Sequence, residues 1–313
     1  RKLTALGRFS HEAATTALAA DGRVVVYMGD DDKFEYVYKF VSRERFDPAR
    51  PERNARLLDD GVLFAARFDA DGSGRWLPLV YDPQGPLSER NGFRSQGDVC
   101  LQARAAADLL GATPMDRPED VQPNPVNGRV YIACTKNPDR AHGARRGMSL
   151  GREIDLGVDA ANPRGENHFG HVIELLEAGA DAAATEFEWN VLLLAGGGVG
   201  NDVACPDNLG YDPLGRLWIV TDTDDPSLPN NGCFVVDTAG PMRGVPRQML
   251  SGPVGAEICG CELTPDGTTL FLCIQHPGEG GSVDAPISHW PDGGTAPPRS
   301  ALIALRRDDG EPV

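Results

Sequence analysis

The sequence predicts an all-β fold, a β-propeller carrying long loop insertions, and three observations lead there. One pattern recurs along the chain: a glycine turn, a short run of apolar, β-branched or aromatic residues, then a polar cluster. Turn chemistry followed by such a run reads as a hairpin strand. Next, 37 glycines and 25 prolines imply many turns. Last, the repeats are unevenly spaced, as divergent blades of about 40–50 residues with insertions would be. A β-sandwich or two unrelated β domains is the alternative.

The repeats are these. Asp21-Gly22-Arg23 leads into Val24-Val25-Val26-Tyr27 and then Gly29-Asp30-Asp31-Asp32. Asn127-Gly128-Arg129 leads into Val130 to Cys134 and then Thr135-Lys136-Asn137. Leu214-Gly215-Arg216 leads into Leu217 to Val220 and then Thr221-Asp222-Thr223-Asp224. Asp266-Gly267 leads into Leu270 to Ile274 and then Gln275-His276-Pro277. Unbroken apolar character in these runs suggests strands covered on both faces. In a propeller, polar clusters at equivalent strand ends converge on a central channel.

Other segments fill the gaps. Residues 34–41 read as a strand with Phe34, Tyr36, Tyr38 and Phe40 on one face and Glu35 and Lys39 on the other. Residues 62–68 read as another, ending in the turn Asp69 to Gly74; that turn lacks the final Glu and the helix pair of an EF-hand. Ala103 to Leu110 is the clearest helix, stopped by Gly111. Residues 138–166 and 277–299 read as long loops, either walls of a site or inert insertions. Gly196 to Gly200 lacks the Lys-Ser/Thr pair of a phosphate-binding loop and reads as flexible.

Composition narrows the function. With 313 residues the chain holds one large β domain or two ordinary ones. Its 46 acids against 30 Lys and Arg exclude a basic nucleic-acid footprint and disfavour anionic membranes. No apolar run is long enough to span a bilayer. The seven cysteines form no C-x-x-C, so buried free thiols are the default reading and structural zinc is poorly supported. Cys259 and Cys261 would share one strand face. The chain opens on Arg1 without a signal-peptide pattern.

Candidate chemistry centres on Gly111 to Asp120. Pro118 fixes its own φ and pushes Arg117 towards an extended conformation. Arg117 and Glu119 then project to one side, cation beside anion. Either Glu119 holds a metal while Arg117 holds an anionic oxygen, or the segment is a turn with a surface ion pair. Elsewhere, Glu12 suits a hard cation better than its neighbour His11 does, and Asp30 and Asp32 share a face. His168 and His171 have a possible metal spacing without a zinc-protease helix. Asp207 is a ligand or a turn former, and Glu257 is one carboxylate before an apolar strand. No G-x-S-x-G elbow, Walker loop or G-x-G-x-x-G after a strand occurs. The distribution points to separated carboxylates with one well-placed arginine rather than a nucleophilic triad.

Taken together, the segments resemble the PhoX-type alkaline phosphatases. The shared pieces are Leu6-Gly7-Arg8-Phe9 with His11-Glu12, Val26 to Asp31, Tyr36 to Val41, Gly111-Ala112-Thr113, and Met115-Asp116-Arg117-Pro118-Glu119. They continue with Asn162-Pro163-Arg164, Gly170-His171, Pro206-Asp207, Leu217-Trp218-Ile219, Thr264 to Gly267 and Gln275 to Glu279. The resemblance implies a six-bladed propeller with a calcium- and iron-dependent phosphomonoesterase site, in an exported, periplasmic or secreted protein that scavenges phosphate. It implies that Glu12 and Glu119 bridge metals, that Arg117 clamps phosphate, and that Asp207 and, less firmly, Glu257 are further metal ligands. Catalysis would rest on Arg117 and Glu119, on a small-molecule phosphomonoester, in a monomer. Family members carry a preceding region with a cysteine ligand to iron, so residues 1–313 read as one propeller domain, the C-terminal piece of a longer chain. His11-Glu12-Ala13 stands for the usual His-Glu-Gly, and Asp207-Asn208 for Asp-Gly. The rival functions are a non-catalytic calcium-binding propeller and a metal-dependent lactonase or phosphotriesterase.

Overall fold

The computed structural model describes residues 2–140, 145–147, 153–196 and 202–313. Four antiparallel units follow one another. The first is β1 (Thr15–Leu18), β2 (Arg23–Gly29), β3 (Val37–Arg45), β4 (Gly61–Phe68) and β5 (Ser73–Pro78), paired in chain order. The second begins with β6 (Pro118–Pro123) and β7 (Val130–Cys134). A small ribbon, β8 (Arg145–Gly147) with β9 (Glu153–Asp155), intervenes before β10 (His171–Glu177) and β11 (Glu186–Leu194). β5 pairs with β11, which joins these two units edge to edge into one nine-stranded sheet. The third unit is β12 (Pro206–Tyr211), β13 (Leu217–Thr221), β14 (Gly232–Val236) and β15 (Pro246–Ser251). The fourth is β16 (Glu257–Leu263), β17 (Leu270–Gln275) and β18 (Ala301–Leu305).

Each recurrent run is the second strand of its unit, after a glycine with positive φ: Gly22, Gly128, Gly215 and Gly267. Only a residue without Cβ enters that region freely. The units stack face to face around separate apolar layers. Val25, Tyr27, Trp76, Val121 and Ile132 fill the first interface, Leu193, Leu209 and Ile219 the next, and Trp218, Ile258 and Leu272 the last. β2, β7 and β13 are therefore buried on both faces over most of their length. β17 departs from that expectation: it alternates, with Leu270, Leu272 and Ile274 buried while Cys273 and Gln275 are exposed.

The helix Ala103–Leu110 ends at Gly111 in the left-handed region, as its sequence implies. It packs over the outer face of the first unit with Met28, Tyr38 and Phe40. The strand expected from Phe34 starts only at Val37, because Phe34 has φ 66° and sits in a turn. Tyr36, Tyr38 and Phe40 do share one apolar layer, and Lys39 points into the opposite one. There Lys39 Nζ pairs with Glu177 at 2.8 Å, donates to the carbonyls of Ala182 and Ala184, and lies 4.5 Å from the Trp76 ring. The expected loop 138–166 carries the β8–β9 ribbon, whereas 277–299 holds no regular element. The glycine-rich stretch falls largely outside the described residues.

Candidate metal and phosphate centre

One register places the site. Pro118 pairs with Cys134, Pro206 with Thr221 and Glu257 with Gln275. In each unit the start of the first strand thus meets the end of the second, and the first strands pack on one another: β1 on β6, β6 on β12, β12 on β16. Acids opening the first strands and polar residues following the second strands are gathered at one end of that inner row.

Glu12, Glu119 and Asp207 meet there. Each offers a carboxylate oxygen, and these lie within 4.8 Å of one another. They come from the segment before β1, from β6 and from β12. Glu119 and Asp207 are buried, and Glu12 is exposed at the rim. Burial raises the Glu119 carboxyl well above the usual range, and sharing a hydrogen bond with Asp207 adds to it. Asp207 is raised as well, chiefly by burial, with Glu257, Glu12 and Asp222 adding repulsion. Glu12 is raised by burial and then by Asp31 and Glu257. Three acids held together against both desolvation and like charge are a site awaiting positive charge.

Arg117 supplies some of that charge, from an unexpected backbone. Its φ is 52°, so it is left-handed rather than extended. The restriction from Pro118 is overridden because Thr135 N–H donates to the Arg117 carbonyl, closing a turn against the end of β7. Glu119 and Arg117 are nevertheless neighbours: Nη2 lies 3.0 Å from Glu119 Oε1, without hydrogen-bond alignment. Asp31 receives Nε at 2.8 Å and Nη2 at 3.1 Å, fixing the plane of the guanidinium. Burial works against the cation, but Glu119 and Asp31 outweigh it, so Arg117 stays charged. It lines a cleft of about 420 Å³ with Lys33, Lys136, His168 and Asp224.

Close backbone approach holds Glu119 in place. A Cβ on Gly29 would lie 2.0 Å from the Glu119 carbonyl and 2.3 Å from that of Pro118. β2 therefore runs against β6 with no room for a side chain.

Other sequence candidates separate. Asp30 and Asp32 do share a face, and both meet Arg104; Asp31, facing the other way, is the one that reaches the centre. Glu257 opens β16 and binds His276 Nε2 at 3.1 Å and Gln275 Nε2 at 2.6 Å, outside the tight three-acid group. His11 stacks on Phe9 and bonds the Gly7 carbonyl. His168 and His171 do not act together: His168 lines the cleft, while His171 is fully buried against Asn167. Cys259 and Cys261 do not share a face, because the register slips between them, leaving Cys261 in the core and Cys259 half-buried on the opposite face beside Glu257. Asp31, Lys136 and Asp222 belong to the centre without having been singled out. Each lies in a polar cluster after a second strand, which is the signal that pointed to them. Asp222 is raised by burial and by Glu257, and Lys136 pairs with Asp224.

A β-propeller whose hub gathers buried carboxylates around an oriented arginine is a protein suited to hard cations and an oxyanion together. The family model for alkaline phosphatase PhoX matches residues 1–278, and the chain belongs to that family. A solved structure of Pseudomonas fluorescens PhoX in complex with vanadate, a transition state analogue, is similar at a TM-score of 0.86 and 37% identity. All of this chain is covered by that match, and 56% of the other chain. No curated protein matches the sequence.

Proposed function

We propose that this chain carries the metal- and phosphate-binding part of a phosphatase that hydrolyses phosphate monoesters. The observation that carries the proposal is the meeting of Glu12, Glu119 and Asp207 beside Arg117. Membership of the PhoX family and the vanadate bound by its relative support it.

The residues fit a hard cation. All three ligands are carboxylates, the buried Glu119 Oε1 has no hydrogen-bond partner among the described residues, and oxygen-only donors suit calcium. Nothing in this set selects iron, whose part rests on the family resemblance. Bound cations would supply Lewis-acid neutralisation of phosphoryl charge. Glu12, Glu119 and Asp207 would hold them, with Glu257 as an outlying ligand.

Arg117 does the rest that this chain's own residues can do. Phosphoryl transfer spreads charge over the equatorial oxygens, so positioning and electrostatics dominate. A planar guanidinium offers paired donors to two of those oxygens. Asp31 sets its orientation beforehand, so little is lost on binding. Lys136 and Lys33 also line the cleft, paired with Asp224 and Asp139.

The family resemblance further supports a protein outside the cytoplasm, periplasmic or secreted, and a monomer is the working expectation; fractionation and light scattering test those two points. The central test is turnover of a generic phosphomonoester, with metal content measured on the same sample, with and without added Ca²⁺. Calcium-dependent turnover that vanadate inhibits competitively is expected. Calcium binding without turnover of the monoester would make the chain a binding propeller. Faster turnover of a triester or lactone would make it a different hydrolase.

A further inference from the structure

Two cysteines of the fourth unit face each other across β16 and β17, with the Cys259 thiol hydrogen-bonded to the Glu257 carboxylate. Cys259 is the direct register partner of Cys273. The next pair along, Ile258 with Ile274, is buried at 0% and 2% exposure. Alternation puts Cys259 and Cys273 together on the other face, where Cys273 is exposed and Cys259 half-buried. Directly opposed residues in an antiparallel pair have Cα atoms about 4.5–5.5 Å apart. Disulfides span about 4.4–6.8 Å between Cα atoms, so the strands already hold a bridging distance. The other five cysteines are buried, including Cys261 on the far side of the slip in register.

We propose that Cys259 and Cys273 form a reversible cross-strand disulfide by exchange with a small-molecule disulfide such as oxidised glutathione. The exposed Cys273 thiolate attacks one oxidant sulfur, forming a mixed disulfide and releasing one glutathione thiol. The Cys259 sulfur then attacks the Cys273 sulfur and displaces the second glutathione, which leaves with the Cys259 proton. Two protein thiols are oxidised to one disulfide, and one small-molecule disulfide is reduced to two thiols. The new bond would staple β16, which opens at Glu257, to β17, which ends at Gln275 beside His276.

The purified protein is incubated with oxidised glutathione, quenched in acid, and digested without reduction for mass spectrometry. A cross-linked peptide pair joining Cys259 to Cys273 is expected, with the intact mass lower by about 2 Da. Both residues lose alkylation by iodoacetamide, and dithiothreitol restores it. In Cys259→Ser, oxidation stops at a glutathione adduct on Cys273. A persistent adduct on Cys273 in the wild-type protein would overturn the proposal. So would continued alkylation of both residues after oxidation, or a cross-link to the buried Cys233 or Cys261 instead.

Discussion

Glu119→Gln tests whether the three-acid centre is a cation site or merely an ion pair for Arg117, because the two readings give stability changes of opposite sign. The substitution keeps the shape of the side chain and removes one charge. In the metal-free protein, Glu119 faces Glu12 and Asp207 with carboxylate oxygens within 4.8 Å. At that separation and an effective dielectric of about 20, each fully ionised pair carries roughly 3.5 kcal/mol of repulsion. Raised carboxyl pKa values mean that the native state already relieves part of it by protonation. The remaining gain on removing one charge is about 1–2 kcal/mol, a metal-free Tm higher by about 2–4 °C. With Ca²⁺ at a hundredfold excess over its Kd, the wild-type protein gains about 2.7 kcal/mol, or roughly 5 °C. Glu119→Gln loses most of that gain. Thermal unfolding of both proteins, with EDTA and with millimolar CaCl₂, gives all four values. If Glu119 only neutralised Arg117, its loss would remove one of two counter-ions and, with Asp31 still holding the guanidinium, lower stability by about 1–2 kcal/mol, less than the cost of an unpaired buried charge. A metal-free Tm lower by about 2–4 °C, or an undiminished Ca²⁺ shift, therefore refutes the cation site.

Four further outcomes follow from the same geometry. Arg117→Lys keeps the charge and loses the planar fork, so kcat on a phosphomonoester drops about a hundredfold while metal content is unchanged; an unchanged kcat would remove Arg117 from the chemistry. Glu177→Gln leaves Lys39 buried without a counter-ion and destabilises by about 3–5 kcal/mol, whereas Lys39→Met with Glu177→Gln recovers most of it in denaturant titrations. Burial pulls Lys39 down to about 8 from its unfolded value of 10.5. Between those values the unfolded chain binds the extra proton, so wild-type stability rises with pH relative to Lys39→Met, by no more than about 3–4 kcal/mol; a flat difference over pH 8–10.5 contradicts the assignment. Gly29→Ala drives a methyl into the Glu119 and Pro118 carbonyls, which costs about 1–3 kcal/mol or more and weakens Ca²⁺ binding in calorimetry; an unaltered Ca²⁺ affinity would show that the close approach does not position Glu119.

Second strands were legible because three signals agree in each: a glycine entering positive φ, an unbroken apolar run and a polar exit. The polar exits also foretold the location of the centre, since Asp31, Lys136 and Asp222 follow β2, β7 and β13. What sequence reasoning missed was set by distant contacts. Pro118 argues for an extended Arg117, yet a hydrogen bond from Thr135, just past the end of a strand that must first pair with β6, imposes a left-handed turn. Period-two alternation puts Cys259 and Cys261 on one face, yet the register slip between them reverses it. Asp30, Asp31 and Asp32 look equivalent until Arg104 takes two and Arg117 the third. His168 and His171 look paired until one is enclosed by Asn167 and the other faces the cleft.

Because Glu12, Glu119 and Asp207 belong to three separate units, the centre has a very high contact order. No segment of the chain can assemble two of its ligands locally, so a cation has nothing to template during early collapse. It binds after the units have stacked, and then resists their separation. Opening one interface breaks the ligand set as completely as global unfolding does. Amide exchange at the starts of β6 and β12 should therefore slow together when Ca²⁺ is added, although 88 residues separate Glu119 from Asp207 in the chain. Occupancy of such a site reports the stacking of the first three units rather than the order of any one loop.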